Sequence, residues 1–211
     1  MDLPFEHYPG VVDCSLEEIL ECVQEHLQVT TFTLRNKVIE MKYRSCVFGL
    51  GKEVPIGGYV TEKTRLLDPP SLILELKELV EEKTKEDYSY VRIILYRDGS
   101  DFIGFHRDRE SIDFAIVSLS FGATRRFLMK ADADEKITTY NLGHGDLFFM
   151  RKGCQHLYKH SVPKMSVKDL VAHIESKGVV IPPGRKTLKG LYKLTEENDI
   201  PTMRISLTFR R

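Results

Sequence analysis

The stretch Leu95-Tyr96-Arg97-Asp98-Gly99-Ser100-Asp101-Phe102-Ile103-Gly104-Phe105-His106-Arg107-Asp108-Arg109-Glu110 decides how the chain is read. It leaves a β-type run (Tyr90 to Tyr96), crosses the turn signal Asp98-Gly99-Ser100, and arrives at His106-Arg107-Asp108. On an extended strand, residues i and i+2 point to one face, so the His106 imidazole and the Asp108 carboxylate can grip one ion. A third ligand can come from His160, in Leu157-Tyr158-Lys159-His160-Ser161-Val162-Pro163. Two histidines and one carboxylate, with coordination positions left open, suit non-haem Fe(II) that must also bind a co-substrate and oxygen. Taken alone, H-x-D is a weak motif, and the plain alternative is a partly buried histidine paired with its neighbour.

Working outward, further β-type runs cover Ile112 to Phe121, Arg126 to Met129, Asp146 to Met150 and Arg204 to Phe209. Many short strands with few helices between them predict a sandwich, barrel or jelly roll. Two helices precede them. Ser15-Leu16-Glu17-Glu18 has the form of a capping box and opens an apolar stripe of Leu16, Ile19, Leu20, Val23 and Leu27. After Pro69-Pro70-Ser71, the residues Leu72, Ile73, Leu76, Leu79 and Val80 form a second stripe opposite Glu75, Lys77, Glu78, Glu81 and Glu82. From Lys164 to Pro201 the pattern turns helical (Val167 to Lys177) and then Pro/Gly-punctuated and basic, as expected of an insertion between two core strands.

The 211 residues predict one compact domain, 42% of them hydrophobic and 29% charged, with 31 basic residues balancing 31 acidic ones. Zero net charge argues against attachment to nucleic acid by bulk charge, though a local basic groove is compatible with it. No apolar run approaches a membrane span, and the acidic start Met1-Asp2-Leu3-Pro4-Phe5-Glu6 lacks the form of a signal peptide. The four cysteines (Cys14, Cys22, Cys46, Cys154) have no C-x-x-C spacing, so reduced thiols in the cytoplasm or nucleus are expected.

The quoted stretch resembles the AlkB family of Fe(II)- and 2-oxoglutarate-dependent dioxygenases. The resemblance continues in family order through Ile116-Val117-Ser118-Leu119-Ser120-Phe121-Gly122-Ala123-Thr124-Arg125, Gly143-His144-Gly145-Asp146-Leu147, Tyr158-Lys159-His160-Ser161-Val162-Pro163 and Arg204-Ile205-Ser206-Leu207-Thr208-Phe209-Arg210. Several ordered blocks are more specific than any one of them. Lys42 to Gly49 and Gly58-Tyr59 resemble the family's N-terminal lid more loosely. The resemblance implies a mainly β chain with flanking helices (α+β) and a double-stranded β-helix, or jelly-roll, core. Residues 1–89 would supply N-terminal helices and the substrate-recognition lid, and residues 90–211 the catalytic core with its insertion at about 164–201. It also implies Fe(II) held by His106, Asp108 and His160, with 2-oxoglutarate and O2 as co-substrates. In that family 2-oxoglutarate is decarboxylated to succinate while a substrate C–H is hydroxylated, and an N-methyl group so oxidised leaves as formaldehyde.

A dicarboxylate needs fixed cationic donors, and guanidinium offers a bidentate fork. Arg204 and Arg210, six residues apart, share a face on a continuous strand. By resemblance, Arg210 binds the distal carboxylate, Arg204 sits near the metal end, and Tyr96 hydrogen-bonds the co-substrate. Where many relatives carry asparagine two positions before the tyrosine, this chain has Ile94, so that polar contact is missing or is supplied by another residue such as Ser206 or Thr208. If neither does, an unmet carboxylate oxygen costs about 1–3 kcal/mol and weakens co-substrate binding.

Repair members of the family act on a base flipped out of the stack. Glu110 matches the acidic residue that approaches that base, and Tyr59 could supply an aromatic or hydroxyl contact. Arg109 replaces the acidic residue often found after the iron aspartate and could engage a phosphate. Arg125, Arg126, Lys152, Lys159, Arg185, Lys186 and Lys189 are further candidates for backbone contacts, although a solvated charged face is the commoner fate of such residues. His156 is read as lining on strand or loop, and His144 as structural. The leading expectation is a monomeric demethylase of N-alkylated DNA or RNA bases such as 1-methyladenine and 3-methylcytosine, with no membrane partner. The alternatives are a protein-directed oxygenase of the same fold and a non-catalytic binding module.

Overall fold

A computed structural model of the chain describes residues 3–34, 37–51 and 66–211. Among them, eleven strands form two antiparallel sheets. The larger contains β1 (Phe5–Tyr8), β2 (Gln28–Leu34), β3 (Lys37–Gly49), β4 (Tyr90–Tyr96), β6 (Ile116–Gly122), β9 (Asp146–Met150) and β11 (Arg204–Arg210), in the order β1-β9-β6-β11-β4-β3-β2. The smaller contains β5 (Ile103–His106), β7 (Arg125–Ala131), β8 (Ile137–Leu142) and β10 (Tyr158–Val162), in the order β5-β10-β7-β8. The two sheets pack face to face as a jelly roll, and Ile94, Tyr96, Ile116 and Phe148 of the larger meet Ile103, Phe127, Met129 and Val162 of the smaller.

The helices cover the outer face of the larger sheet. On α1 (Leu16–Val23) the Ser15–Glu18 capping box forms as expected, and on α2 (Ser71–Thr84) the side chains of Ile73, Leu76 and Val80 are buried. Both pack on Val91, Ile93 and Leu95 of β4 and on Ile205, Leu207 and Phe209 of β11. Alternation along each strand sends the intervening residues to the inter-sheet space. The central strands are therefore buried on both faces, which is why they read as continuous apolar runs.

Several details differ from the sequence reading. α1 ends at Val23 and a short 3-10 turn (Gln24–His26) follows, so Leu27 lies beyond the helix. The strand expected from Ile112 starts only at Ile116, because a 3-10 turn (Arg109–Ser111) and a bend occupy the segment after Asp108. Lys42 to Gly49 is a paired length of β3, joined to β4 from Arg44↔Leu95 to Gly49↔Tyr90. The larger sheet thus runs straight through the expected division at residue 90. The short helix α3 (Cys154–Leu157) precedes β10. Between β10 and β11, α4 (Val167–Ser176) and α5 (Leu188–Glu197) pack on each other around Leu170, Ile174, Leu191 and Leu194. Among the described residues no helix is long and apolar enough to cross a membrane.

Candidate metal centre and co-substrate pocket

His106, Asp108 and His160 come together although 52 residues separate the last two in sequence. Each offers a ligand atom, all within 4.8 Å of one another. Pairing of β5 with β10 sets His106 directly opposite His160. Ile103 lies opposite Val162, so three steps on β5 match two on β10, and the extra residue is a bulge. The bulge turns both Ile103 and His106 inward, where simple alternation would have separated them. The strand ends at His106, and Asp108 begins the 3-10 turn with φ −85° and ψ 84°. The shared face of His106 and Asp108 thus comes from a bulge and a turn.

Each ligand is braced. The His106 Nδ1–H donates to its own strand's Gly104 carbonyl at 2.9 Å, leaving Nε2 free to face Asp108 Oδ1 at 3.8 Å. The His160 Nε2 lies 3.4 Å from Asp108 Oδ2, and the Phe127 ring stacks on the imidazole. The backbone N–H of Asp108 donates to Gln155 Oε1 at 3.1 Å, and Gln155 is 1% exposed. Burial opposes ionisation of Asp108, but Arg210, His160 and His106 together hold its carboxyl down at about 2. Burial, helped by His106, pushes His160 down to about 3, so its imidazole is neutral, as metal ligation requires.

The wall opposite these ligands is the inner face of β4, β6 and β11. Arg204, Ser206, Thr208 and Arg210 alternate along β11, all 6% exposed or less. The placement of the two arginines reverses the expectation. Arg210 Nη2 lies 2.9 Å from Asp108 Oδ1, so Arg210 is at the metal end. Arg204 lies beside Tyr96, donating to Ser120 Oγ at 2.8 Å, with its guanidinium 5.3 Å from the Tyr96 ring. Strand direction explains the reversal, since β11 runs from its Tyr96 partner at Arg204 to its Tyr90 partner at Arg210, approaching the Asp108 turn at its end. A cavity of about 20 Å³ beside His106, Asp108 and His160 is lined by Ile94, Tyr96, Ser118, Ser206, Thr208 and Arg210 among others.

A family profile described as the 2OG-Fe(II) oxygenase superfamily matches residues 14–210. The chain belongs to that superfamily. Its curated relatives include AlkB homologues. Human alkB homolog 3, an alpha-ketoglutarate-dependent dioxygenase, is 37% identical over 101 residues, covering 42% of this chain and 35% of that protein. The bovine DNA oxidative demethylase ALKBH2 is 34% identical over 91 residues, covering 38% and 33%. An uncharacterised protein of Acanthamoeba polyphaga mimivirus, R406, is 32% identical over 89 residues, covering 41% and 47%. The matched segment therefore spans less than half the length of these relatives. The solved structure of OsALKBH1 superposes with a TM-score of 0.62 over 100% of this chain and 98% of that one, at 16% identity, and so shares the fold.

The superfamily implies Fe(II), 2-oxoglutarate and O2, and the residues present fit them. Both Asp108 carboxylate oxygens are buried without an aligned hydrogen-bond donor, a costly state for a charged group that a metal cation relieves. Nε and Nη1 of Arg204 and Nε of Arg210 are likewise buried without acceptors, as carboxylate-binding forks would be. Ile94 is buried in the cavity wall where it offers no polar contact, while Ser206 and Thr208 turn hydroxyls to the same face, and Thr208 Oγ1 lies 3.2 Å from Ser118 Oγ.

The residues expected to meet substrate divide. Glu110 turns inward to ion-pair with Arg210, leaving its side chain 1% exposed. Burial pushes the Glu110 carboxyl up against the pull of Arg210. Arg109, its neighbour on the 3-10 turn, points outward and is exposed. Tyr59 lies outside the described residues. Arg125 is no phosphate contact, because it is buried, donating to the carbonyls of Asp101 at 2.8 Å and Pro163 at 2.7 Å. Arg126 pairs with Asp169, and Arg185 with Glu197. His156, on a helical turn of α3, is exposed and pairs with Asp113 at 2.8 Å, away from the cavity. The Gly122 N–H donates to His144 Nδ1 at 3.2 Å. Sequence reasoning missed Gln155, Ser118 and Ser120. The two serines alternate with Val117, Leu119 and Phe121, so the period of two carried their signal, whereas nothing local marks Gln155.

Proposed function

We propose that the chain is an Fe(II)/2-oxoglutarate-dependent dioxygenase that oxidatively demethylates N-alkylated bases in nucleic acid. The observation that carries the reading is the convergence of His106, Asp108 and His160 on one point, with Arg210 beside them and a second buried arginine, Arg204, on the same face of β11. When bound, Fe(II) and 2-oxoglutarate supply oxidation of a substrate C–H by O2, with succinate and CO2 as co-products. The protein's own residues do the positioning. Gly104 fixes the His106 tautomer so that Nε2 ligates, burial keeps His160 neutral, and Asp108 brings the negative charge. Arg210 orients the metal-proximal carboxylate, while Arg204 and Tyr96 take the distal one, which the unmet Arg204 donors support. Nucleobase substrates rest on the names of the AlkB homologues, and the choice of lesion falls to residues around the pocket mouth.

Mass spectrometry of short oligonucleotides carrying 1-methyladenine or 3-methylcytosine tests the reading. Incubated with the protein, Fe(II), 2-oxoglutarate and ascorbate, they should lose one methylene, and a His106→Ala control should leave them intact. Succinate formed with no change in any base would contradict the nucleic-acid assignment and direct the search to protein substrates.

A further inference from the structure

Beside the metal centre, on its solvent side, lies a cleft of about 400 Å³ lined by Phe105, His106, Arg107, Arg109, Lys130 and Lys159. It shares His106 with the metal site and is otherwise built from one aromatic residue and four cations. Two cations have acidic partners, since Arg107 pairs with Asp132 and Lys130 with Glu135 at 2.6 Å. Within the described residues, Arg109 and Lys159 have no ion-pair partner. Four cations therefore face two carboxylates in a chain whose net charge is zero.

The backbone register sharpens this point. Lys159 on β10 sits directly opposite Lys130 on β7. Like charges in that cross-strand position repel, and Glu135, held by Lys130 at 2.6 Å and within electrostatic reach of Lys159, offsets only part of the repulsion. A phosphate seated on the two lysines would offset more of it. Phe105, one of the two β5 residues of the bulge, is 41% exposed, a poor arrangement for an aromatic ring unless something covers it. The bulge that turns His106 to the metal is thus the feature that turns Phe105 to the cleft.

We propose that this cleft seats the nucleotide next to the modified one in a single-stranded nucleic acid, with its phosphate on Lys130, Lys159 and Arg109 and its base stacked on Phe105. The inference rests on the nucleic-acid reading of the metal site and adds strand selectivity to it. A phosphate fixes register without reading sequence, and base–aromatic stacking tolerates any base. A neighbouring base reaches Phe105 only after leaving its own stack, which is easy in a single strand and costly in a duplex already opened at one position. The cleft thus favours single strands, DNA and RNA alike.

The test is binding of fluorescein-labelled, unmethylated 8-mers of DNA and RNA, and of the matching DNA duplex, followed by anisotropy with the full chain in Mn(II), without 2-oxoglutarate. Lys130→Gln/Lys159→Gln should weaken both single strands about tenfold or more and flatten the log–log salt slope by about 1.4. Phe105→Ala should weaken single strands about tenfold, leave the salt slope alone and leave duplex binding unchanged. Lys168→Gln/Lys177→Gln, on α4 and at its C-terminal cap, should change nothing. Lys130–Glu135 is a solvent-exposed ion pair of little worth to stability, so the double variant should melt within a few degrees of the parent, and lost binding would not reflect lost folding. Parental affinity in both cleft variants, an unchanged salt slope, or equal competition by poly-glutamate would overturn the proposal. If the parent demethylates oligonucleotides while the cleft variants bind and turn over as well as it does, the cleft assignment fails alone. If cleft-dependent binding occurs with no demethylation, the demethylase reading fails and the cleft stands.

Discussion

Ile205, Leu207 and Phe209 alternate on one strand with Arg204, Ser206, Thr208 and Arg210, and all seven are buried. The first set meets the helices in a hydrocarbon layer, and Ser206, Thr208 and Arg210 of the second line the cavity beside His106, Asp108 and His160. One face stabilises the fold, because apolar area removed from water is worth roughly 25 cal/mol per Å². The other holds charge where hydrocarbon would pack better, and buried ion pairs are weak contributors to stability. Stability and chemistry are thus separated by one residue of register, and substitutions one position apart should have opposite signatures.

The largest expected contrast concerns the metal. Asp108→Ala should abolish detectable metal binding and turnover, as measured by anaerobic calorimetry and succinate release. Phe209→Ala should cost about 3–5 kcal/mol of unfolding free energy, read from urea denaturation, while the surviving folded protein keeps its affinity for metal. Arg204→Met comes next. Charge-assisted hydrogen bonds are worth about 1.5–3 kcal/mol, so 2-oxoglutarate affinity should fall roughly 10- to 150-fold, with a melting temperature equal to or above the parent's. Loss of stability with unchanged co-substrate affinity would place Arg204 among the structural residues.

Gln155→Leu tests the brace behind Asp108. Removing a group that orients a ligand typically lowers metal affinity 10- to 100-fold, and Gln155→Asn should not restore it, because the shorter side chain falls short of the Asp108 amide. A smaller effect is titrational. The folded value of His160, about 3, lies below the usual ~6.5, so as pH falls the unfolded chain takes up this proton first. This contribution to the stability of the metal-free protein is complete above about pH 6.5 and is lost progressively toward pH 3. His160→Gln should flatten that slope in thermal melts between pH 4 and 7. Ser15→Ala, at the cap of α1 far from the pocket, should cost about 1 kcal/mol and leave every ligand affinity unmoved.

Much of this division was legible in the sequence. The period of two on β11 placed Arg204 and Arg210 on one face, and the ordered blocks named the three residues that converge. The route to His106 and Asp108 was different, because a bulge is a mismatch between two strands and β5 alone does not reveal it. The order of the two arginines depends on which way β11 runs past the Asp108 turn, a tertiary property. β10 was only half legible, since Tyr158-Lys159-His160-Ser161-Val162 is too polar to separate strand from loop until its partners are known. α5 was hidden by the prolines and glycine upstream, although Leu188, Leu191 and Leu194 carry helical spacing. Glu110 and Arg109 could not be told apart as inward and outward without the 3-10 turn that separates them.

The most direct test of the account is anaerobic titration of Fe(II), followed by 2-oxoglutarate, into the parent, Asp108→Ala and Arg204→Met proteins. The account predicts one Fe(II) per chain, 2-oxoglutarate binding that tightens when the metal is present, loss of the metal in Asp108→Ala, and weak 2-oxoglutarate with intact metal in Arg204→Met. Tight 2-oxoglutarate binding that ignores both the metal and Arg204 would contradict it.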